Sequence, residues 1–162
     1  MNQGHYIDEN FYMSLNRDEY KNSSIFNSTK FIDIHKNFYE EVYYFSLIRK
    51  TNKRCLGTAC FGLNKENYMR NPLNGSYGGF EFGDVITYEI KEKFMSSVIN
   101  YLNNKNPKNI SITLSPDIYD LDNNANLLSI LLRLNFNIEV IEVNQYIDVE
   151  NYSVSKVVNS GN

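Results

Sequence analysis

The stretch Ser76-Tyr77-Gly78-Gly79-Phe80-Glu81-Phe82 is the most distinctive chemistry-bearing segment of the sequence. Paired glycines offer bare backbone, so a substrate lying against Tyr77, Gly78, Gly79 and Phe80 would meet peptide groups with no Cβ in the way. Glu81 is the candidate general base, because such chemistry needs one suitably tuned group within hydrogen-bond reach of an amine. Two other readings compete. The glycines would equally serve a bulge or kink at a tight strand crossing. The aromatic-Gly-Gly-Phe-x-Phe shape also echoes the aromatic strand of RNA-recognition motifs, but those strands open on a basic residue within a basic sheet. Here Asn74 and Gly75 stand in that place.

Two loops could bind or react. Gly83-Asp84 precedes a strong helical pattern, and a helix N-terminus following a strand favours anions. Gly83 and Asp84 are therefore the candidate cofactor-binding turn, although Asp84 would repel a phosphate and suits a helix cap. Ser115-Pro116-Asp117-Ile118-Tyr119-Asp120 follows a strand, at the edge where ligands of open sheets gather. Tyr119 is a second catalytic candidate and Asp117 could also exchange protons, whereas a plain turn-plus-cap would use the same residues. Cys55 and Cys60 are an odd number of residues apart in an extended run, which puts them on opposite faces and suits neither a disulfide nor a metal clip. His5 and His35 have no ligand pattern around them, so no metal site is expected. The acidic pairs Asp8-Glu9, Asp18-Glu19 and Glu40-Glu41 read as solvated faces.

The elements that must position these groups follow from periodicity. Residues 9–20 carry a weak helical stripe through Phe11 and Leu15. Ser28-Thr29 can cap a short helix ending at Phe38, with Phe31, Ile34, His35 and Phe38 on one side. Residues 42–48 and 55–63 read as an antiparallel hairpin across a charged turn. Residues 71–76 are turn chemistry, and residues 77–83 a strand headed by two glycines. Residues 87–102 form the clearest helix, with Ile90, Phe94, Val98, Tyr101 and Leu102 on one face. Residues 109–114 alternate as a strand. Residues 123–134 form a second helix capped by Asp122, buried through Ala125, Leu127, Leu128, Leu131, Leu132 and Leu134, with Asn135 in a left-handed C′ position. Residues 136–149 are extended. The implied fold class is α/β (α+β): a mixed, mostly antiparallel sheet flanked by helices. Residues 1–149 form one domain, with 1–23 loosely attached and 150–162 a polar tail.

Composition narrows the function classes. The 162 residues suit one domain with a substantial core. A formal charge of −3 gives no basic excess for nucleic acid or anionic lipid. No apolar run approaches a membrane span, and the N-terminus lacks the pattern of a signal peptide, so a cytoplasmic chain without membrane insertion is expected. The 25 Asn, 13 Tyr and 10 Phe belong with Lys and Ile to AT-rich codons, which explains the aromatic content without a binding surface.

Three stretches together carry a resemblance. Residues 74–82 (Asn-Gly-Ser-Tyr-Gly-Gly-Phe-Glu-Phe) resemble a "small-Pro-aromatic-Gly-Gly-Phe" strand. Residues 108–121 resemble "Lys-x-Ile-x-Ile-Thr-Leu-Pro-Pro-x-Ile-Tyr". Residues 134–149 resemble "Leu-Gly-Phe … Ser-Gln-x-Ile-Asp-Leu". In order and spacing, residues 24 to 149 resemble the N-terminal half of FemAB-like, GNAT-type acyltransferases of bacterial surface-polysaccharide clusters.

The resemblance implies a GNAT-like sheet, two such halves in full-length members, and acyl transfer from a CoA or tRNA ester to an amine on a sugar or peptide. Acetyl-CoA or another acyl-CoA would be the donor, with no metal. The sequence departs from the pattern at the pyrophosphate cradle, where residues 80–87 hold only Gly83 and no basic residue. Leu131 stands where many relatives carry a tyrosine acid, and Asn135 where they carry glycine.

Three functions follow. One is an acyltransferase domain acting on an amino sugar in envelope biosynthesis, as a homodimer. Another is a non-catalytic half-domain that dimerises or pairs with a second GNAT-like half. The last is an unrelated binding module on a shared fold.

Overall fold

The computed structural model describes residues 5–16, 24–83, 86–119 and 121–142. The aromatic and β-branched run forms β3 (Glu41–Arg49), which pairs antiparallel with β4 (Cys55–Leu63) from Glu41↔Leu63 to Ile48↔Cys55. These are the central strands. Phe45, Leu47, Ala59 and Phe61 are buried beneath the helices α2 (Tyr88–Asn103) and α3 (Leu121–Arg133). The opposite face carries a smaller apolar cluster of Ile32, Cys60 and Leu73, flanked by Tyr39, Val42 and Tyr44. Ile32 belongs to α1 (Thr29–His35), whose N-cap Ser28 accepts from the Phe31 amide at 3.3 Å. Helices thus cover both faces of the sheet.

Its strand order is β1-β2-β3-β4-β5-β7, with β6 (Glu81–Phe82) also paired to β4. The outer strands are β1 (His5–Tyr6) and β2 (Phe11–Ser14); β5 (Tyr68–Asn71) and β7 (Asn109–Ile112) run parallel to each other. The remaining named pairs are antiparallel. The structure is a mixed α/β fold with a mostly antiparallel open sheet flanked by helices.

Several local expectations are corrected. Part of the stretch read as a helix over 9–20 is β2, because Met13 and Ser14 pair with Leu47 and Ser46 and are buried there. The helix expected to reach Phe38 becomes a separate 3-10 turn at Lys36–Phe38. Ile34 and Phe38 point outward, at 67% and 68% exposure, and Ile32 is the buried residue instead. In α3 the buried stripe is Asn124, Leu127, Ile130 and Leu131, while Ala125, Leu128 and Leu132 are exposed. Asp122 lies inside its first turn rather than at the cap. Asn135 does adopt the left-handed conformation, at φ 65°. Residues 136–142 form no strand, and the rest of the stretch to 149, like the tail 150–162, lies outside the described residues.

The strand expected at 77–83 is shorter than its sequence pattern. Only β6 (Glu81–Phe82) joins a ladder, Thr58↔Glu81 and Gly57↔Phe82, whereas β5 holds the far end of β4 through Gly62↔Arg70 and Leu63↔Met69. Between them residues 72–80 leave the β4 ladder. That interruption positions every candidate residue on the Tyr77–Glu81 stretch.

Candidate functional site

Asn71 splices the interrupted strand. Its side chain is buried, and its Nδ2 donates to the Cys60 carbonyl at 2.6 Å and to the Gly79 carbonyl at 3.3 Å. Its Oδ1 accepts the Gly79 amide. Its backbone carbonyl accepts Thr113 N–H at 3.0 Å, and Gly78 N–H donates to Thr113 O at 2.8 Å. Gly78 then bridges Leu114 in parallel. The backbone therefore rejoins β7 after the loop, with one amide side chain replacing the lost ladder bonds.

Both glycines are required by this crossing. Gly79 has φ +98°, a conformation that side chains disfavour. A Cβ on Gly78 would lie 2.5 Å from Asn71 Oδ1 and 3.0 Å from Pro72 Cβ. These contacts are those of a tight strand crossing. Phe80 and Phe82 pack on Phe94 at 6.1 and 5.8 Å between ring centroids, so these rings face the core and form no base-stacking platform.

Glu81 faces the other way. Alternation places Thr58, its cross-strand partner, on the same face as Cys60, under the α1 side of the sheet. A 3-10 turn, Ile25–Asn27, packs against β4 there. Its preceding residue, Ser24, donates its amide to Glu81 Oε1 at 2.9 Å. That bond fixes one carboxylate oxygen. The other, Oε2, is buried without a hydrogen-bond partner, and so are Ser24 Oγ, Asn27 Nδ2 and Thr58 Oγ1. An unsatisfied buried polar group costs about 1–3 kcal/mol, so four beside one turn is a departure from ordinary packing.

An aromatic rim adjoins this cluster. Phe26, in the same turn, meets Tyr77 edge-on at 4.8 Å, and Tyr77 lies against Tyr119 at 5.5 Å. Tyr119 is 67% exposed. The structure thus joins Tyr77 and Tyr119 to the turn that touches Glu81. Ser24, Asn27, Thr58 and Asn71 carry no motif in the sequence. Ser24 and Glu81 are separated by 57 residues, and only the folded sheet brings them together.

The remaining candidates have structural employment. Gly83 donates its amide to Leu56 O at 2.9 Å, and its carbonyl accepts from Ile86. Asp84 lies outside the described residues. Thr87 is the N-cap of α2 and makes no side-chain capping bond. In the 115–120 loop, Asn124 Nδ2 donates to Ser115 O at 2.7 Å and to Asp117 Oδ1 at 3.2 Å, so Asp117 holds the turn against α3. His35 contacts Asn74 through Nδ1 at 3.3 Å, and Tyr39 OH donates to the same Asn74 at 3.1 Å, tying the excluded loop to α1.

A separate open groove of about 530 Å³ is lined by Lys36, Tyr39, Glu40, Val42 and Tyr44. Burial pushes the Tyr39 phenol above its ordinary pKa, partly offset by the Arg70 charge. Among the described residues, no group of three or more His, Cys, Asp or Glu could hold a metal ion, and no helix is long and apolar enough to cross a membrane.

No protein-family model matches the chain, and no curated protein matches it. Among solved structures, the chain is similar to a protein from Sphaerobacter thermophilus DSM 20745, provisionally described as an acetyltransferase. The likeness covers 82% of each chain at 8% identity, with a TM-score of 0.41. A likeness of that size carries no argument about activity, which must come from this chain's own residues.

Proposed function

We propose that the chain is a GNAT-like acyltransferase domain in which Glu81 is the general base for attack of an amine on an acyl-CoA thioester. The observation that carries this reading is the asymmetric carboxylate: Oε1 is held by Ser24 N–H, and Oε2 is shielded from water with nothing to accept from. A base so held has its geometry set before the amine arrives.

Acyl-CoA supplies an electrophilic thioester carbonyl. As the amine nitrogen bonds to that carbon, its proton passes to Glu81 Oε2. The carbon–sulfur bond breaks with its electron pair on sulfur, and the Tyr119 hydroxyl supplies the proton that makes the free thiol. Solvent then returns the proton balance of both side chains. Tyr77 and Phe26 give the acyl end an apolar wall, while Gly78 and Gly79 set the path of the wall rather than offering free amides. The pyrophosphate does not fit Gly83, whose amide is already used, and would fall instead to the first-turn N–H groups of α2, which Thr87 leaves without a side-chain cap. The three sequence stretches support an amine on an envelope-polysaccharide precursor as the acceptor and a cytoplasmic setting.

The second reading is a non-catalytic half-domain that dimerises or pairs with another half. The engaged amides of Gly78, Gly79 and Gly83 favour it, as do Ile138, Val140 and Ile141, at 50%, 71% and 80% exposure. Thiol release from acetyl-CoA in the presence of an amine panel separates the two. Amine-dependent release, with a rise in melting temperature on adding acetyl-CoA, supports catalysis. No release and no shift at millimolar acetyl-CoA support the half-domain.

A further inference from the structure

We infer that Ser24, Asn27, Thr58 and Glu81 form an occluded seat for a primary ammonium carrying a hydroxyl on the neighbouring carbon, with the Ile25–Asn27 turn as its strap. The inference deepens the acyl-transfer reading by naming the acceptor, and its binding half stands without any thioester. Thr58 is the ladder partner of Glu81, Ser24 is bonded to Glu81, and Asn27 is bonded to Ser24 across the turn; each of the four has a buried polar atom with no partner. The chemistry of those atoms is selective. Glu81 Oε2 is a carboxylate acceptor, and the Ser24 and Thr58 hydroxyls can each accept or donate. An ammonium has three N–H donors and a positive charge. Asn27 Nδ2 is a donor and needs an acceptor oxygen, which a neighbouring hydroxyl supplies.

A carboxylate ligand would leave Glu81 Oε2 unmatched and be repelled by it. A simple alkylamine would leave Asn27 unmatched. Water would also bond these atoms, but a cation matches the carboxylate oxygen better. Closure over an empty seat orphans all four atoms, so the turn lies down more readily over a ligand that satisfies them. The carboxylate that holds the ammonium is then the group that takes its proton. The ammonium gives one proton to solvent to become the neutral amine, and Oε2 takes the next as the nitrogen bonds to the thioester carbon.

The test is a titration of the full chain, without acyl-CoA, by ethanolamine, propylamine and ethylene glycol. Binding is followed through the Asn27 side-chain amide signal and the exchange rate of the Ser24 amide proton. Ethanolamine is expected to move the Asn27 signal saturably and to slow Ser24 exchange at least tenfold. Propylamine should bind at least tenfold more weakly, and ethylene glycol should leave both readouts unchanged. Thr58→Val should weaken ethanolamine binding at least fivefold, with Ser24→Ala as the second variant if the first does not fold. Equal responses to all three probes, no response to ethanolamine, or unchanged affinity in both variants would overturn the seat. Ethanolamine binding without thiol release would leave the seat standing and remove the acyl transfer; release with amines that ignore the neighbouring hydroxyl would do the reverse.

Discussion

Two polar clusters sit ten residues apart on the same interrupted strand, and they are built to opposite rules. Around Asn71, the buried donors and acceptors of the crossing meet: Cys60 O, Gly79 N–H, Gly79 O and Thr113 N–H are all engaged. Around Glu81, one oxygen is fixed, and its second oxygen and three neighbouring polar atoms are left without partners. The first arrangement rigidifies a sheet that would otherwise be cut. The second stores unused hydrogen-bonding capacity, which is what a ligand site needs. The glycine pair lies between them and belongs to the first cluster. The conspicuous glycine pair therefore marks the scaffold, and the proposed chemistry belongs to Glu81, two residues after it.

Stability measurements can break that comparison. Asn71→Ala should be the most damaging change, destabilising by about 3 kcal/mol in chemical denaturation, because it orphans Gly79 N–H and Cys60 O within the sheet. A loss under about 1 kcal/mol would mean that the splice is not a structural device. Gly79→Ala should cost about 2 kcal/mol, from the strain of a side chain at φ +98° with Leu114 Cδ2 only 3.2 Å from the new Cβ. Thr58→Val, on the other side of the comparison, should stay within about 1 kcal/mol of the parent, in the stabilising direction, since it removes an unpartnered hydroxyl at constant shape. A large loss there would show that the hydroxyl has a partner in solution.

Legibility in the sequence followed the range of the interactions. The β3–β4 hairpin and α2 were readable because long periodic runs bury a continuous face. The Phe11 and Leu15 spacing mimics a helix turn, yet pairing with β3 decides in favour of strand, and a single-chain pattern carries no information about that neighbour. Strand β5 is four residues long, too short for alternation to stand out between polar turns. In α3 the stripe is rotated because Asn124 turns inward to hold Ser115 and Asp117, leaving Leu128 and Leu132 outside. Glu81 and Tyr77 could be singled out from a motif. Their partners could not: Ser24 and Thr58 reach Glu81 through tertiary folding, with no spacing rule to announce them.

The central claim is that Glu81 Oε2 is kept free to take a proton. Its most direct test is thiol release from acetyl-CoA with a saturating amino alcohol, comparing the parent chain with Glu81→Gln at matched protein concentration. The amide keeps an oxygen for Ser24 N–H while replacing the basic oxygen by a donor. The account predicts loss of release by about a hundredfold or more, as expected on removing a general base, with the melting temperature changed by no more than a few degrees. Release by Glu81→Gln at the parent rate would contradict it.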